Sequence, residues 1–134
     1  MNEDHAFLDN LWAEYYASEK SQAASGDLLE RFYQKLQRHI RLENLFLFPR
    51  FNQYLGFGDN DGPIPILIRD HRNILRLLAR LEKVLNEGNY HDAHLISANF
   101  QKLMIKHRQR ENEMGYPVYD SFIDLGEWKS YLEN

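Results

Sequence analysis

The sequence predicts an all-α protein: an up-down-up-down antiparallel four-helix bundle, internally duplicated and closed by a short C-terminal helix. Three observations predict it. Apolar residues recur in alternating steps of three and four over helix-length segments. Glycine and proline sit mostly in clusters, and those clusters separate the segments. The pattern of the first half returns in the second, and no stretch alternates with the period of two that marks a strand.

The first segment runs from Asn2 to Ser21 and places His5, Leu8, Trp12 and Tyr15 on one stripe. A small-residue turn, Ala23 to Gly26, leads to Asp27, the expected N-cap of a second segment reaching Leu55. Its stripe is Phe32, Leu36, His39, Glu43 and Phe46. Gly56 to Pro65, with three glycines and two prolines, must be a loop, and Pro63 or Pro65 can open the third helix. That helix carries Leu67, His71, Ile74, Leu78, Leu81 and Leu85 inward and ends at the Gly88-Asn89 turn. The fourth starts near Tyr90, passes Glu111, and turns Phe100, Met104, His107, Glu111 and Met114 to the core. An amphipathic piece, Leu125 to Leu132, closes the chain. The duplication reads letter by letter: Asp4-His5 answers Asp70-His71, and His39 to Pro49 answers His107 to Pro117, with a glutamate four residues after each leading histidine.

A chain of 134 residues and 16.0 kDa is large enough for one core, so residues 1–134 are expected to form a single domain. An apolar share of 43% with a charged share of 27% suits a soluble globular protein rather than a disordered or membrane one. The net charge of -4, without a basic stripe, argues against nucleic acid or an anionic membrane surface as partner. Cysteine is absent, which excludes disulfides, thiol catalysis and thiolate metal sites within the chain. Asp9, Glu14 and Glu19 interrupt the first apolar stretch, so it reads neither as a signal peptide nor as a membrane span, and the expected location is cytoplasmic.

Six polar residues sit on the inward stripes: His5, His39, Glu43, His71, His107 and Glu111. Residues four apart stack on one helix face, so His39 with Glu43 and His107 with Glu111 each form a two-pronged claw. Similar chain lengths to and from the turns bring all four helices to the same level. An ionised glutamate beside Phe and Leu is costly unless a cation accompanies it or it takes up a proton. Imidazole and carboxylate together suit iron, manganese or zinc, with iron the first choice, while calcium and magnesium favour all-oxygen shells. The simplest arrangement gives each of two metals two imidazoles, with both carboxylates bridging.

The motif His5, His39-Ile-Arg-Leu-Glu43, His71 and His107-Arg-Gln-Arg-Glu111 resembles the hemerythrin-like, or HHE cation-binding, family across nearly the whole chain. The resemblance implies a hemerythrin-like bundle whose metal ligands are these six residues, holding two iron ions in an oxo- or hydroxo-bridged di-iron centre. Oxygen-carrying members are expected to bring a fifth histidine one turn after the third-helix ligand and an aspartate at the last position; here Leu75 and Glu111 stand there. The four-His, two-Glu set is more similar to bacterial hemerythrin-like proteins of nitric oxide and oxidative stress, including those linked to iron-sulfur cluster repair. The Cys-bearing N-terminal extension of the repair proteins has no counterpart here.

The function expected on these grounds is a non-haem di-iron protein that binds or reduces dioxygen, nitric oxide or peroxide in oxidative or nitrosative stress. The alternative is a non-enzymatic oxygen or iron carrier, a sensor, or an iron-donating module for cluster repair; the sequence leaves enzyme and carrier open. A small diatomic ligand is the expected partner, with room for a redox partner protein. A dry shell of Leu8, Phe32, Leu36, Phe46, Ile74, Phe100, Met104 and Met114 favours small neutral ligands over ions. With so few residues before His5, access is expected on the helix-one side. Asp9 reads as surface charge, His91 and His94 as solvent-facing, and Asp59 to Asp61 as turn residues rather than a calcium loop. Arg69, Arg72, Arg76 and Arg80 read as the solvated face of the third helix.

Overall fold

A computed structural model describes residues 2–21, 25–58 and 61–113. The helix expected over Leu125 to Leu132 lies outside the described residues, as do Ala23, Asp59, Asn60, Met114 and Pro117. The described residues are helical and contain no strand.

The first helix, α1, spans Asn2–Lys20. The second, α2, spans Gly26–Leu42, beginning just before the expected cap. Ser25 is the actual N-cap: its hydroxyl accepts from the Leu28 N–H at 3.1 Å. Asp27 falls in the first turn instead, where its charge suits the helix dipole. Without a break α2 enters a π-helical turn over Glu43–Leu47 and then α3, Phe48–Leu55. Pro49 accounts for the wider turn. It has no N–H to donate, and its ring would crowd the carbonyl four residues earlier in a regular helix. The chain relaxes by letting the Phe48 N–H reach back five residues to the Glu43 carbonyl.

Gly56, with φ 79°, supplies the left-handed residue that ends α3. The fourth helix, α4, spans Ile64–Asn86, with Pro63 as its N-cap and Pro65 in the first turn, so both prolines sit where a helix tolerates them. The last, α5, spans Tyr90–Glu113. Asn89 opens it by accepting the Asp92 N–H at 3.2 Å. None of these helices is long and apolar enough to cross a membrane.

Four helices pack into a ring: α1 on α2, α2 on α4, α4 on α5, and α5 back on α1 through the slightest of the four contacts. Most of the expected inward stripes are inside: His5, Leu8 and Tyr15 on α1; Phe32, Leu36, His39 and Glu43 on α2 and its π turn; His71, Ile74, Leu78, Leu81 and Leu85 on α4; Phe100, His107 and Glu111 on α5. Trp12 and Met104 are only partly buried. The interior is divided. One apolar cluster joins Leu8, Leu36, Ile74 and Phe100, and a second joins Leu42, Phe46, Phe48 and Leu67. Along α2 and α4 the polar residues occupy the interval between them. At the opposite end of the α1–α5 seam the buried Glu19 carboxylate accepts from Tyr15 at 2.7 Å and Ser97 at 2.6 Å, and pairs with His94 at 2.8 Å. His94 is therefore solvent-facing, its side chain 54% exposed, yet it helps to pin α5 to α1.

Candidate metal centre

The structure brings all six sequence-predicted residues together, and every one is buried. Glu43 Oε1 lies 3.1 Å from His39 Nε2 and 3.1 Å from His71 Nε2. His71 Nε2 is 3.1 Å from His107 Nε2, which is 2.6 Å from Glu111 Oε1. Glu111 Oε2 in turn faces His5 Nε2 at 3.7 Å. The rings of His5 and His39 lie 5.0 Å apart, centroid to centroid. Two sets of side chains can each offer their ligand atoms to one ion: Glu43, His71, His107 and Glu111, and His5, His39 and Glu43. Glu43 belongs to both. The π turn begins at this residue, so the widened backbone sits where one carboxylate must serve two sets.

The outer nitrogens of the imidazoles are also held. His71 Nδ1 donates to Asn44 Oδ1 at 2.7 Å, and His107 Nδ1 to Asp70 Oδ2 at 3.1 Å. His39 Nδ1 is bound to Asp4, and Arg110 clamps the other oxygen of Asp70. Fixing a proton on Nδ1 turns the Nε2 lone pair toward the centre and raises its basicity, the usual support of a metal-binding imidazole. The ring of Phe48 stacks on His71 at 5.5 Å and limits its rotation.

Electrostatics describe a cluster short of positive charge. Burial opposes the charge on His39, but Glu43 and Asp4 outweigh it and push the imidazole up to about 10. Burial, with His39 and Arg108 nearby, drives His5 down to about 3. Burial also opposes ionisation of Glu43, yet His39 and His71 hold it well below the usual carboxylate range. For Glu111, burial and the charge of Glu43 dominate and raise it to about 7. Without a cation, then, the interior supports one carboxylate charge fully and the second poorly.

Each of the two donor sets is spaced to suit a metal ion. At metal–ligand distances of about 2.1 Å, neighbouring ligand atoms lie about 3.0 Å apart and opposite ones about 4.2 Å. The N···O and N···N separations of 2.6–3.7 Å fall in or close to that range. Glu111 Oε2 is buried and makes no hydrogen bond among the described residues, as a ligand atom awaiting a cation would. The space enclosed by the cluster is about 10 Å³, too small for anything beyond ions and one or two light atoms.

Asp4, Asp70 and Asn44 carry no role in the sequence reading, although the matching Asp4-His5 and Asp70-His71 pairs marked the first two. Each aspartate orients the histidine of a neighbouring helix rather than the one beside it in sequence. Asp9 is no ligand: its side chain is 61% exposed and makes a bidentate pair with Arg108, both contacts at 3.1 Å. His91 and the four α4 arginines are exposed, as expected. Asp70→Asn and Asp4→Asn are each expected to weaken metal binding about 10- to 100-fold with the helical fold retained, as measured by competition with a chelator.

Comparison with protein-family models, with curated proteins and with solved structures finds no match to this chain.

Proposed function

We propose that this chain is a hemerythrin-like di-iron protein, an internally duplicated up-down-up-down bundle that binds or reduces dioxygen, nitric oxide or peroxide. The observation that carries the reading is the sharing of Glu43 between two buried sets of imidazole ligands. One ion would draw on one of these sets; a carboxylate common to both is the placement that a pair of ions would share. Two iron ions would supply electrons and open coordination positions for a diatomic ligand. The chain's own contribution is to aim the Nε2 lone pairs through Asp4, Asp70 and Asn44, to set two carboxylates between the helices, and to keep bulk water out with Leu8, Leu36, Ile40 and Ile74.

One observation favours the carrier or sensor variant of this reading. Apart from the six ligand residues, Arg108 is the sole ionisable side chain on the cluster wall among the described residues. Among the described residues no uncommitted acid or base stands ready there to protonate a bound ligand.

The test is to reduce the iron-loaded protein anaerobically and record its absorption before and after dioxygen, nitric oxide or peroxide. A reversible adduct identifies a carrier or sensor, and catalytic consumption identifies an enzyme. Reactivation of a cluster-depleted iron-sulfur enzyme identifies an iron donor. Spectra indifferent to all three ligands would contradict the proposal.

A further inference from the structure

Beside the polar cluster, and separate from it, the α1–α5 seam opens into a cavity of about 370 Å³. That volume lies in the range of sites for small organic molecules and is far larger than a diatomic needs. The geometry of the seam explains the opening. Glu19 with Ser97 and His94 ties the helices at one end, and His5 faces Glu111 at the other. Between these two points the inner walls are apolar: Leu8 and Trp12 from α1, Phe32 from α2, Phe100 and Met104 from α5. The ring of Trp12 stands 4.7 Å from Phe100 and 5.3 Å from Phe32, forming an aromatic floor.

Arg108 is the one cationic group on the lining among the described residues. It also lines the polar cluster, as do Leu8 and Met104, so the two spaces share a wall. Its present partner is Asp9, an exposed carboxylate whose pairing is worth little against solvent. An incoming anion with an apolar body can replace that pairing with a less hydrated one and bury its chain against the aromatic floor.

We propose that this cavity binds an apolar monocarboxylate, with Arg108 receiving the carboxylate at the wall shared with the cluster and Trp12, Phe32 and Phe100 enclosing the hydrocarbon. The Asp9–Arg108 pair is the latch that the ligand displaces. The inference goes beyond the di-iron reading and does not depend on it, because none of the residues that line the cavity is a metal ligand.

Octanoate is the probe, titrated calorimetrically into the full chain both metal-free and metal-loaded, with octanol as its uncharged counterpart. One octanoate per chain is expected, with a change in tryptophan emission that Trp12→Phe removes. Each methylene from butanoate to octanoate should tighten binding about three- to fourfold. Arg108→Met should weaken octanoate about tenfold or more and leave octanol unchanged. Asp9→Asn, a surface change that cannot disturb the core, should tighten octanoate several-fold by removing its competitor. Gln101→Trp at the exposed rim should block both ligands. Failure of octanoate to bind, including through occupation of the cavity by residues 114–134, would overturn the proposal. So would equal affinity for octanoate and octanol, or an Asp9→Asn variant that binds no more tightly. Because the same measurements are made without metal, their failure is separable from failure of the di-iron reading.

Discussion

Glu43→Gln is expected to lower metal affinity more than 100-fold and to cut bound metal from two ions per chain to one at most. The amide keeps the shape of the side chain but loses the charge and one of two equivalent oxygen donors. Glu43 Oε1 stands 3.1 Å from the Nε2 atoms of both His39 and His71, so the same substitution weakens both ligand sets at once. Among the described residues no other belongs to both. The metal-free protein should also suffer. His39 is held protonated by Glu43 and Asp4, and losing one of the two leaves a buried cation partly uncompensated. Since Asp4 remains, the cost should fall below the ~3–5 kcal/mol typical of a fully orphaned buried charge. Glu111→Gln provides the contrast. Burial and Glu43 already raise this carboxyl to about 7, so at pH 6 it is largely neutral and its amide should leave metal-free stability almost unchanged while still impairing metal binding. Chelator competition and thermal denaturation of the two variants, side by side, check both halves of the expectation.

Metal removal should lower the melting temperature, and the gap between loaded and metal-free protein should widen from pH 6 to pH 8. Glu111 rises from an ordinary 4.5 to about 7 on folding. Its stabilising contribution is complete below 4.5 and is lost as pH climbs through 7. His39, raised from 6.5 to about 10, contributes fully below 6.5 and loses its contribution toward 10. Both therefore weaken the metal-free fold as pH rises from 6 to 8. His5 acts in the other direction: lowered to about 3, its contribution is complete above 6.5 and fades only as pH falls toward 3. Cations need Glu111 ionised and His39 free of its Nε2 proton, so their binding expels protons and tightens by up to about tenfold per pH unit for each proton released. At a thousandfold excess of metal over its dissociation constant, one site adds about 4 kcal/mol, or about 10–15 °C in a domain of this size. A gap that stays constant or narrows with rising pH would show that the cluster does not exchange protons for metal.

Much of the centre was legible in the sequence because helical spacing is a strong constraint. His39 with Glu43 and His107 with Glu111 need only a regular turn between them to share a face, and the structure buries all four. The proline loop before α4 and the Gly88 turn were legible for the same reason: each residue allows few backbone states. Features set by competition between similar options were not. Ser25 and Asp27 are both good caps, and only the start of the α2 hydrogen-bond ladder selects Ser25. The π turn leaves no mark on apolar periodicity, although Pro49 was its available signal. Asp4 and Asp70 were visible as a repeated pair, but their reach to His39 and His107 depends on how helices lie against one another, which no single-segment pattern records. The α1–α5 cavity is of the same kind, because it arises from how two helices lie along their seam and not from any local motif.

The central claim is that six buried side chains from four helices hold two metal ions in common. Anaerobic titration of the metal-free chain with ferrous iron, followed by oxidation and electron paramagnetic resonance, tests it most directly. The account predicts saturation at two irons per chain and an oxidised centre whose two spins couple through their shared ligands, so that isolated ferric signals are absent. Saturation at one iron, or a full complement of uncoupled ferric signals, would contradict it.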